Sequence, residues 1–331
     1  MLKELFVAHA GTPDRWTDDS RGRQAAKPQQ IPKSGWRDIA WRVKDKMRKD
    51  KLSIVSAGVA FYALWALFPA LFALVAIYGL VSDPQQVEQQ VGAMAAILPP
   101  EAAEIVRNQL HSVVQASGTA LGFGAAFGLL FALWSASIGI RTLMEALNVC
   151  YEEEEKRGFV KFYGTALLLT LGAILGVVIA IGTVVALPAV LGFLGLGNVL
   201  ENVIGYARWP LLAVLVMFGL AVLYRYGPSR DQPRWQWVTP GALFATVMWI
   251  IGSALFSLYV TNFGNYNQTY GAMGAVIIML TWFLLSAYAV LIGAEVNAEA
   301  ERQTKNDTTR GKPERMGQRR AHAADTVGPK P

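Results

Sequence analysis

The residues that could do chemistry in this chain are few, and most stand at the ends of uncharged stretches. Arg141 and Glu145 lie four apart, one helical turn from each other, just after the uncharged run 118–140. A guanidinium at that place can hold a phosphate or carboxylate through paired hydrogen bonds, with Arg157 or Lys161 supplying a second cation from the loop that follows. The plainer alternative is that the pair ends the helix at headgroup level, since boundary arginines reach toward lipid headgroups. Glu295 and Asn297 close the last uncharged run. At about 1.5 Å per residue, Glu295 is roughly 35 Å from the start of that run at Ala272. It therefore belongs near an interface, whereas a proton-coupling carboxylate belongs deeper. Residues 261–270 read Thr-Asn-Phe-Gly-Asn-Tyr-Asn-Gln-Thr-Tyr, polar yet uncharged. Asn262, Tyr266, Asn267 and Tyr270 can hydrogen-bond a sugar or headgroup, or with Gly264 they can build a tight structured loop. Pro69 falls within an apolar run and cannot donate to the Trp65 carbonyl, so a kink is expected that serves as a hinge, a cavity wall or packing geometry alone.

Several chemistries lack their residues. Cys150 is the only cysteine, which excludes an intramolecular disulfide and a Cys-rich metal site. His9, His111 and His322 lie far apart, so no imidazole-built metal centre is expected. There is no phosphate-cradling Gly-rich loop with lysine and no nuclease-type carboxylate cluster. Glu152 to Glu155 are four adjacent carboxylates, a pattern that is usually solvated. No cofactor, no metal and no enzymatic activity are expected.

The elements that must position these residues are membrane helices. The chain is 53% hydrophobic and 16% charged, below the roughly 25% charged residues of an ordinary soluble domain. Uncharged stretches cover 54–82, 118–140, 162–200 and 235–294, and about 20 apolar residues cross a bilayer as a helix. The reading is an all-α polytopic membrane protein with six spans, near 54–82, 118–141, 162–190, 206–226, 238–261 and 272–296. The fourth is weakest, needing Arg208 and Arg225 to reach toward opposite interfaces. All but two of the 30 Lys and Arg residues fall in 1–53, 141–161, 225–237 and the tail after 297; the exceptions are Arg107 and Arg208. The positive-inside rule then puts both termini in the cytoplasm.

Outside the membrane domain 52–297, residues 1–35 read as a disordered cytoplasmic N-terminus and 298–331 as a disordered tail. Residues 36–51 carry Trp36, Ile39, Ala40, Val43 and Met47 at helical spacing among many Lys and Arg, an amphipathic interfacial helix. The outer loop 83–117, interrupted at Pro99 and Pro100, suits short amphipathic helices. Gly118-x-x-x-Gly122, Gly124-x-x-x-Gly128 and Gly172-x-x-x-Gly176 permit close helix approach within the bundle, or less readily in a homo-oligomer.

Four stretches carry a resemblance to a known family: AGVAFYALWALFP at 57–69, LWSASIGIRTLMEALNVCY at 133–151, PGALFATVMWIIGSALFSLYVTNFGNYNQTY at 240–270, and 271–299 ending LIGAEVNAE. Together with the intervening spans, about residues 36–300, they resemble the YihY/BrkB family of bacterial inner-membrane proteins, some of which carry an old label of ribonuclease BN. The resemblance implies a six-helix inner-membrane protein. It also implies an association with resistance to host killing in some members and with movement of envelope lipids. Pro69, Trp134, Ser135, Arg141, Asn148, Asn262, Tyr266, Asn267, Tyr270, Gly293 and Glu295 match the family pattern.

The expected function is a transporter or transport accessory for a lipid or other amphiphilic envelope component, because spans nearly free of charge suit an apolar-tailed substrate better than a small ion. The alternative is a membrane scaffold that docks an envelope partner, such as a periplasmic lipid-carrying protein, through 83–117. Membrane lipids are the expected partners. Nucleic acid is not, since the basic residues cluster at segment ends instead of forming one stripe.

Overall fold

The computed structural model describes residues 19–81, 121–186, 198–263 and 272–329. Its helices are α1 (Lys33–Lys49), α2 (Leu52–Val81), α3 (Leu121–Tyr151), α4 (Phe159–Ile181), α5 (Asn198–Tyr226), α6 (Trp235–Phe263), α7 (Ala272–Glu301) and the short α8 (His322–Asp325). A single turn of π-helix, Gly182–Ala186, continues α4. Among the described residues there is no strand, only one isolated bridge between Pro233 and Thr309. Helices α2 to α7 each contain a stretch long and apolar enough to cross a bilayer. They are apolar on nearly every side because their neighbours on most sides are lipid chains, not water. The fold is therefore an all-α polytopic membrane protein. The fourth span, the weakest in the sequence, lies inside a 29-residue helix that carries Arg208 and Pro210 within it.

The spans form a ring in chain order. Each packs on the next, α7 returns to α2, and α7 also touches α3 across the ring. Burial is concentrated at the end where the basic residues gather. There Leu147, Tyr151, Tyr224, Trp237, Val238, Leu291 and Ile292 form one core with Ile39 and Val43 of α1 and Ala323 of α8. Farther along the spans the buried positions are mostly alanines, such as Ala66, Ala73, Ala132 and Ala166, while large apolar side chains such as Trp65, Phe131, Leu175 and Leu255 face outward.

A close helix contact joins α6 and α7 at a glycine pair. A Cβ on Gly241 would collide with the Gly293 carbonyl oxygen, and a Cβ on Gly293 would meet the Tyr224 hydroxyl and the Gly241 oxygen. Gly172 and Gly176 behave differently from expectation: a Cβ at either would meet nothing within 4 Å. Their spacing does not serve packing within the described part of the chain. Gly118, Gly122 and Gly124 lie outside the residues whose surroundings are described.

Three expectations change at the basic end. First, α3 does not end at Arg141 and Glu145 but runs on to Tyr151, because Met144, Leu147 and Cys150 continue a buried stripe. Second, the apolar stripe of α1 is buried against protein: α1 packs on α7, with Ile39 and Val43 in the core. The exposed side bears Arg37, Trp41, Lys44 and Arg48. Third, the described parts of both ends are folded. Arg23 donates to the Gly328 carbonyl at 2.9 Å, Gly328 N–H donates to Arg302 O at 2.9 Å, and Thr304 Oγ1 donates to Ala25 O at 2.7 Å. Arg319 donates to the carbonyls of Ala324 and Lys305, and Asp325 accepts from the Gly317 and Arg319 amides. Polar side chains bonding to backbone supply here the order that an apolar pattern supplies elsewhere. Residues 1–18 lie outside the described residues, as does the outer segment 83–117 expected to carry short amphipathic helices.

Candidate functional site

Arg141 lies ten residues inside the basic end of α3, so it sits roughly 15 Å along the helix axis from Tyr151. Side chains on a helix lean toward its N-terminus, and Arg141 follows that lean back toward Trp134. Its guanidinium carbon is 4.7 Å from the ring centre of Tyr163 on α4 and 5.4 Å from that of Trp134. The two rings are stacked at 4.7 Å and 9°, and Phe159 closes on Tyr163 at 4.1 Å. Aromatic rings gathered around one arginine are the composition of a membrane interface.

The rings hold this cation without neutralising it. Among the described residues its nitrogens reach only the Ser137 carbonyl at 3.4 Å and the Trp134 carbonyl at 3.5 Å, both long for N–H to O. A guanidinium has five N–H donors, so most remain available. Among the described residues Arg141 has no carboxylate at ion-pair distance. Glu145, four residues on, is exposed and forms no ion pair with it. The chemistry on offer is a partly sheltered cation that can take a bidentate anion.

The other expected residues go to different places. Arg157 is committed to structure: it donates to both Glu155 oxygens at 2.7 and 2.6 Å and to the carbonyls of Tyr226 and Gly227, and it lies over Phe162. It latches the α3–α4 loop to the end of α5. Burial alone would raise the pKa of Glu155, but its hydrogen bonds from Arg157 and Asn148 hold the carboxyl down at about 2. Asn148 also accepts the Ser229 amide at 2.7 Å, tying α3 to the α5–α6 loop. Three of the four adjacent glutamates, Glu152, Glu153 and Glu155, are bound within the protein and are not simply solvated. Glu152 pairs with Lys46, Arg302 and His322, and Glu153 accepts the His322 amide at 2.6 Å.

Asn297 is a helix clip. Pro240 lies in the first turns of α6, where it donates no backbone hydrogen bond. The Asn297 carboxamide accepts the Gly241 amide at 2.7 Å and donates to Val238 O at 3.1 Å. Glu295 is fully buried, and neither carboxyl oxygen has a hydrogen-bond partner among the described residues. Around it stand Lys46 of α1, Asp50 just past the end of that helix, Glu299 of α7 and the Cys150 thiol of α3. For Lys46, burial disfavours the charge, but its bonds to Glu152 and Asp50 and the nearby Glu295 outweigh this and raise its pKa.

Pro69 lies within α2, which runs unbroken through it. The side chain of Asn262 and the whole of Tyr266, Asn267 and Tyr270 lie outside the described residues, so the polar loop between α6 and α7 is not placed against Arg141. Ser135 is half-buried on α3. The sequence reading missed Tyr163, since nothing in its spacing links it to Trp134 one helix earlier. It also missed the buried pairs Arg42–Glu299 and Arg230–Glu301, whose partners are 257 and 71 residues apart. Among the described residues no group of three or more His, Cys, Asp or Glu is arranged to hold a metal.

Comparison with known proteins agrees with this architecture. YfkH of Bacillus subtilis, a protein named ribonuclease-like, is 30% identical over 259 residues, 76% of this chain and 90% of YfkH. A UPF0761 membrane protein of Photobacterium profundum is 28% identical over 277 residues, 81% of this chain and 82% of its own. One of Vibrio cholerae is 29% identical over 269 residues, 80% and 87% respectively. No solved structure matches. The family described as Virulence factor BrkB matches residues 43–318, across all six spans and most of the folded tail. The chain belongs to that family and is an integral membrane protein.

Proposed function

We propose that this protein moves, or helps to move, a lipid or other amphiphilic envelope component in the bacterial inner membrane, with both termini in the cytoplasm. The observation that carries this reading is Arg141: a cation inside the basic end of a span, held by Trp134 and Tyr163 and lacking an anionic partner among the described residues. An ionisable residue within a membrane helix is a functional candidate by default. A phosphate or carboxylate headgroup is the anion that reaches such a place, because its acyl chains can lie along the exposed apolar walls of α3 and α4. The distribution of Lys and Arg supports the orientation. Arg157 is left out of the proposed site because its donors are used, while exposed Lys161 stays in reach of the same loop.

The test is reconstitution of the purified protein into liposomes carrying trace fluorescent phosphatidylglycerol, with bilayer exchange followed by dithionite quenching. Wild type should speed exchange over empty liposomes, and Arg141→Ala should lower that rate at least tenfold without lowering thermal stability. If wild type gives no exchange above empty liposomes, unaided transport is wrong and the scaffold reading takes its place. The scaffold rests on residues 83–117, and photo-crosslinkers placed there should then capture an envelope partner.

A further inference from the structure

The elbow between α1 and α2 builds a second cationic site that shares no residue with the one around Arg141. Lys44, Met47, Arg48, Lys51, Ser53 and Ile54, with Tyr288 of α7, line a groove of ≈ 490 Å³. Three of these are cations: Lys44 and Arg48 stand four apart on one side of α1, and Lys51 joins them from the elbow just past the helix end. Like charges so placed repel one another unless an anion lies between them.

Three other basic residues of α1 are answered by carboxylates. Lys46 pairs with Asp50 and Glu152, Lys49 with Asp45, and Arg42 with Glu299. Lys44, Arg48 and Lys51 have no carboxylate partner among the described residues, and no acidic residue lines the groove. Lys51 also holds a φ of 50°, the left-handed region, at a residue with a Cβ. Such strain is tolerated where surrounding structure fixes it, and it gathers at binding sites. Here it turns the chain from α1 into α2 and sets Lys51 at the rim.

The rest of the lining is part polar and part apolar. The Ser53 hydroxyl and the Tyr288 phenol stand near the cations, while Met47 and Ile54 supply hydrocarbon, and Ile54 is 68% exposed in the first turn of a membrane-spanning helix. Trp41, 47% exposed, stands one turn from Lys44 on the outer side of α1. A phosphate fits the cations, and the exposed apolar edge beside them fits the first methylenes of an acyl chain. We infer that the groove of Lys44, Arg48, Lys51 and Tyr288 binds the phosphate of an anionic phospholipid headgroup in the leaflet at the basic end.

The experiment is native mass spectrometry of the full chain in detergent, titrated with phosphatidylglycerol, phosphatidylcholine or inorganic phosphate. Wild type should retain phosphatidylglycerol at least tenfold more tightly than phosphatidylcholine. Lys44→Gln/Arg48→Gln/Lys51→Gln should weaken that retention on the order of 100-fold, since each surface cation contributes several-fold. A loss of tenfold or more supports the assignment, and a smaller one overturns it. Binding of inorganic phosphate as tightly as the lipid would leave the phosphate chemistry but overturn the lipid assignment. Because all three side chains are exposed, the triple variant should keep the wild-type melting temperature. Single Lys44→Gln and Arg48→Gln variants, each expected to lose about fivefold, repeat the test if it does not. In an Arg141→Ala background, which removes the other proposed headgroup site, the triple substitution should still weaken phosphatidylglycerol retention at least tenfold, so failure at the groove and failure of the transport reading are told apart; no further weakening in that background overturns the assignment.

Discussion

Arg230 and Glu301 are both removed from solvent, joined by bonds of 3.0 and 2.6 Å, with the guanidinium 5.0 Å from the Tyr151 ring centre. Burial by itself disfavours the Arg230 charge; the Glu301 carboxylate more than restores it and raises the pKa. Glu301 also accepts the Thr308 hydroxyl at 2.6 Å, so the pair joins α7 to the tail and to the α5–α6 loop. Removing one partner strands the other in a dry place, which costs about 3–5 kcal/mol. Glu301→Ala should therefore unfold at markedly lower SDS fraction in mixed micelles. Arg230→Met/Glu301→Leu, which removes both charges, should recover most of that loss. A double variant as weak as the single one would show that the charges themselves, not the stranding, are what matters. The acidic side chains at this end set a pH dependence whose sign follows from their depressed pKa values. Glu155 is held at about 2, and Glu152 and Asp307 lie below their usual values; burial opposes this in each, and bonds and charges from Arg157, Lys46, Thr309 and their neighbours overcome it. Folded values below unfolded ones mean that the stabilisation is fully present above about pH 4.5 and is lost as pH falls toward 2. Melting of the detergent-solubilised protein should hold steady from neutral pH to about 5 and drop below it, and Glu155→Gln should flatten part of that drop. An unchanged slope in the variant would remove Glu155 from the explanation.

At the scale of helices, α6 and α7 meet at Gly241 and Gly293, where one carbonyl fills the space that a side chain would need. Gly293→Ala places a methyl against the Tyr224 hydroxyl and 2.6 Å from the Gly241 oxygen. Tyr224 is not free to retreat, since it donates to Val290 O at 2.7 Å. Overpacking of this kind typically costs about 1–3 kcal/mol. A melting temperature lowered by several degrees is expected, whereas Gly172→Ala on α4, which meets open space, should leave it unchanged. Equal effects at the two sites would contradict the helix contacts described. These two glycines also show what a sequence can and cannot disclose about elements. The six spans were legible because a charge-free run in lipid has one solution, a helix, and because Lys and Arg punctuate its ends. Which glycines touch a neighbour was not legible, since Gly172 and Gly176 have the better spacing and no contact. Arg141 was legible as a candidate for the same reason the spans were: it breaks a silence of charge. Its aromatic partner was not, because Tyr163 meets Trp134 only after two helices are set side by side. The order of the tail was hidden as well, since it rests on arginines bonded to carbonyls, as from Arg23 to Gly328, and that leaves no periodicity.

Across the whole molecule, packing is close at the basic end and thins along the spans, so the two termini act as a clamp on the ring. The N-terminal segment and the tail cross each other there: Arg23 and Arg42 hold the carbonyls of Gly328 and Pro329, and Glu152 and Glu153 at the end of α3 are bound to His322 of the tail. Cys150 lies directly under this closure, 1% exposed, with its thiol toward the Leu291 carbonyl at 3.7 Å. As the only cysteine in the chain, it reports on the clamp without any engineering. Local opening sets the reactivity of a buried group, and segments held by few apolar contacts open most readily. Deleting residues 306–331 removes His322 from Glu152 and Glu153, Thr308 from Glu301, and the Gly328 and Pro329 carbonyls from Arg23 and Arg42, while leaving every span intact. The truncated protein should still enter the membrane fraction and resist carbonate extraction. Its Cys150 should react with maleimide at least tenfold faster than in the full chain, and restoring the tail should return protection. Full protection in the truncated form would mean that the helix ends close the molecule unaided, and the tail would then lose its place as part of the fold.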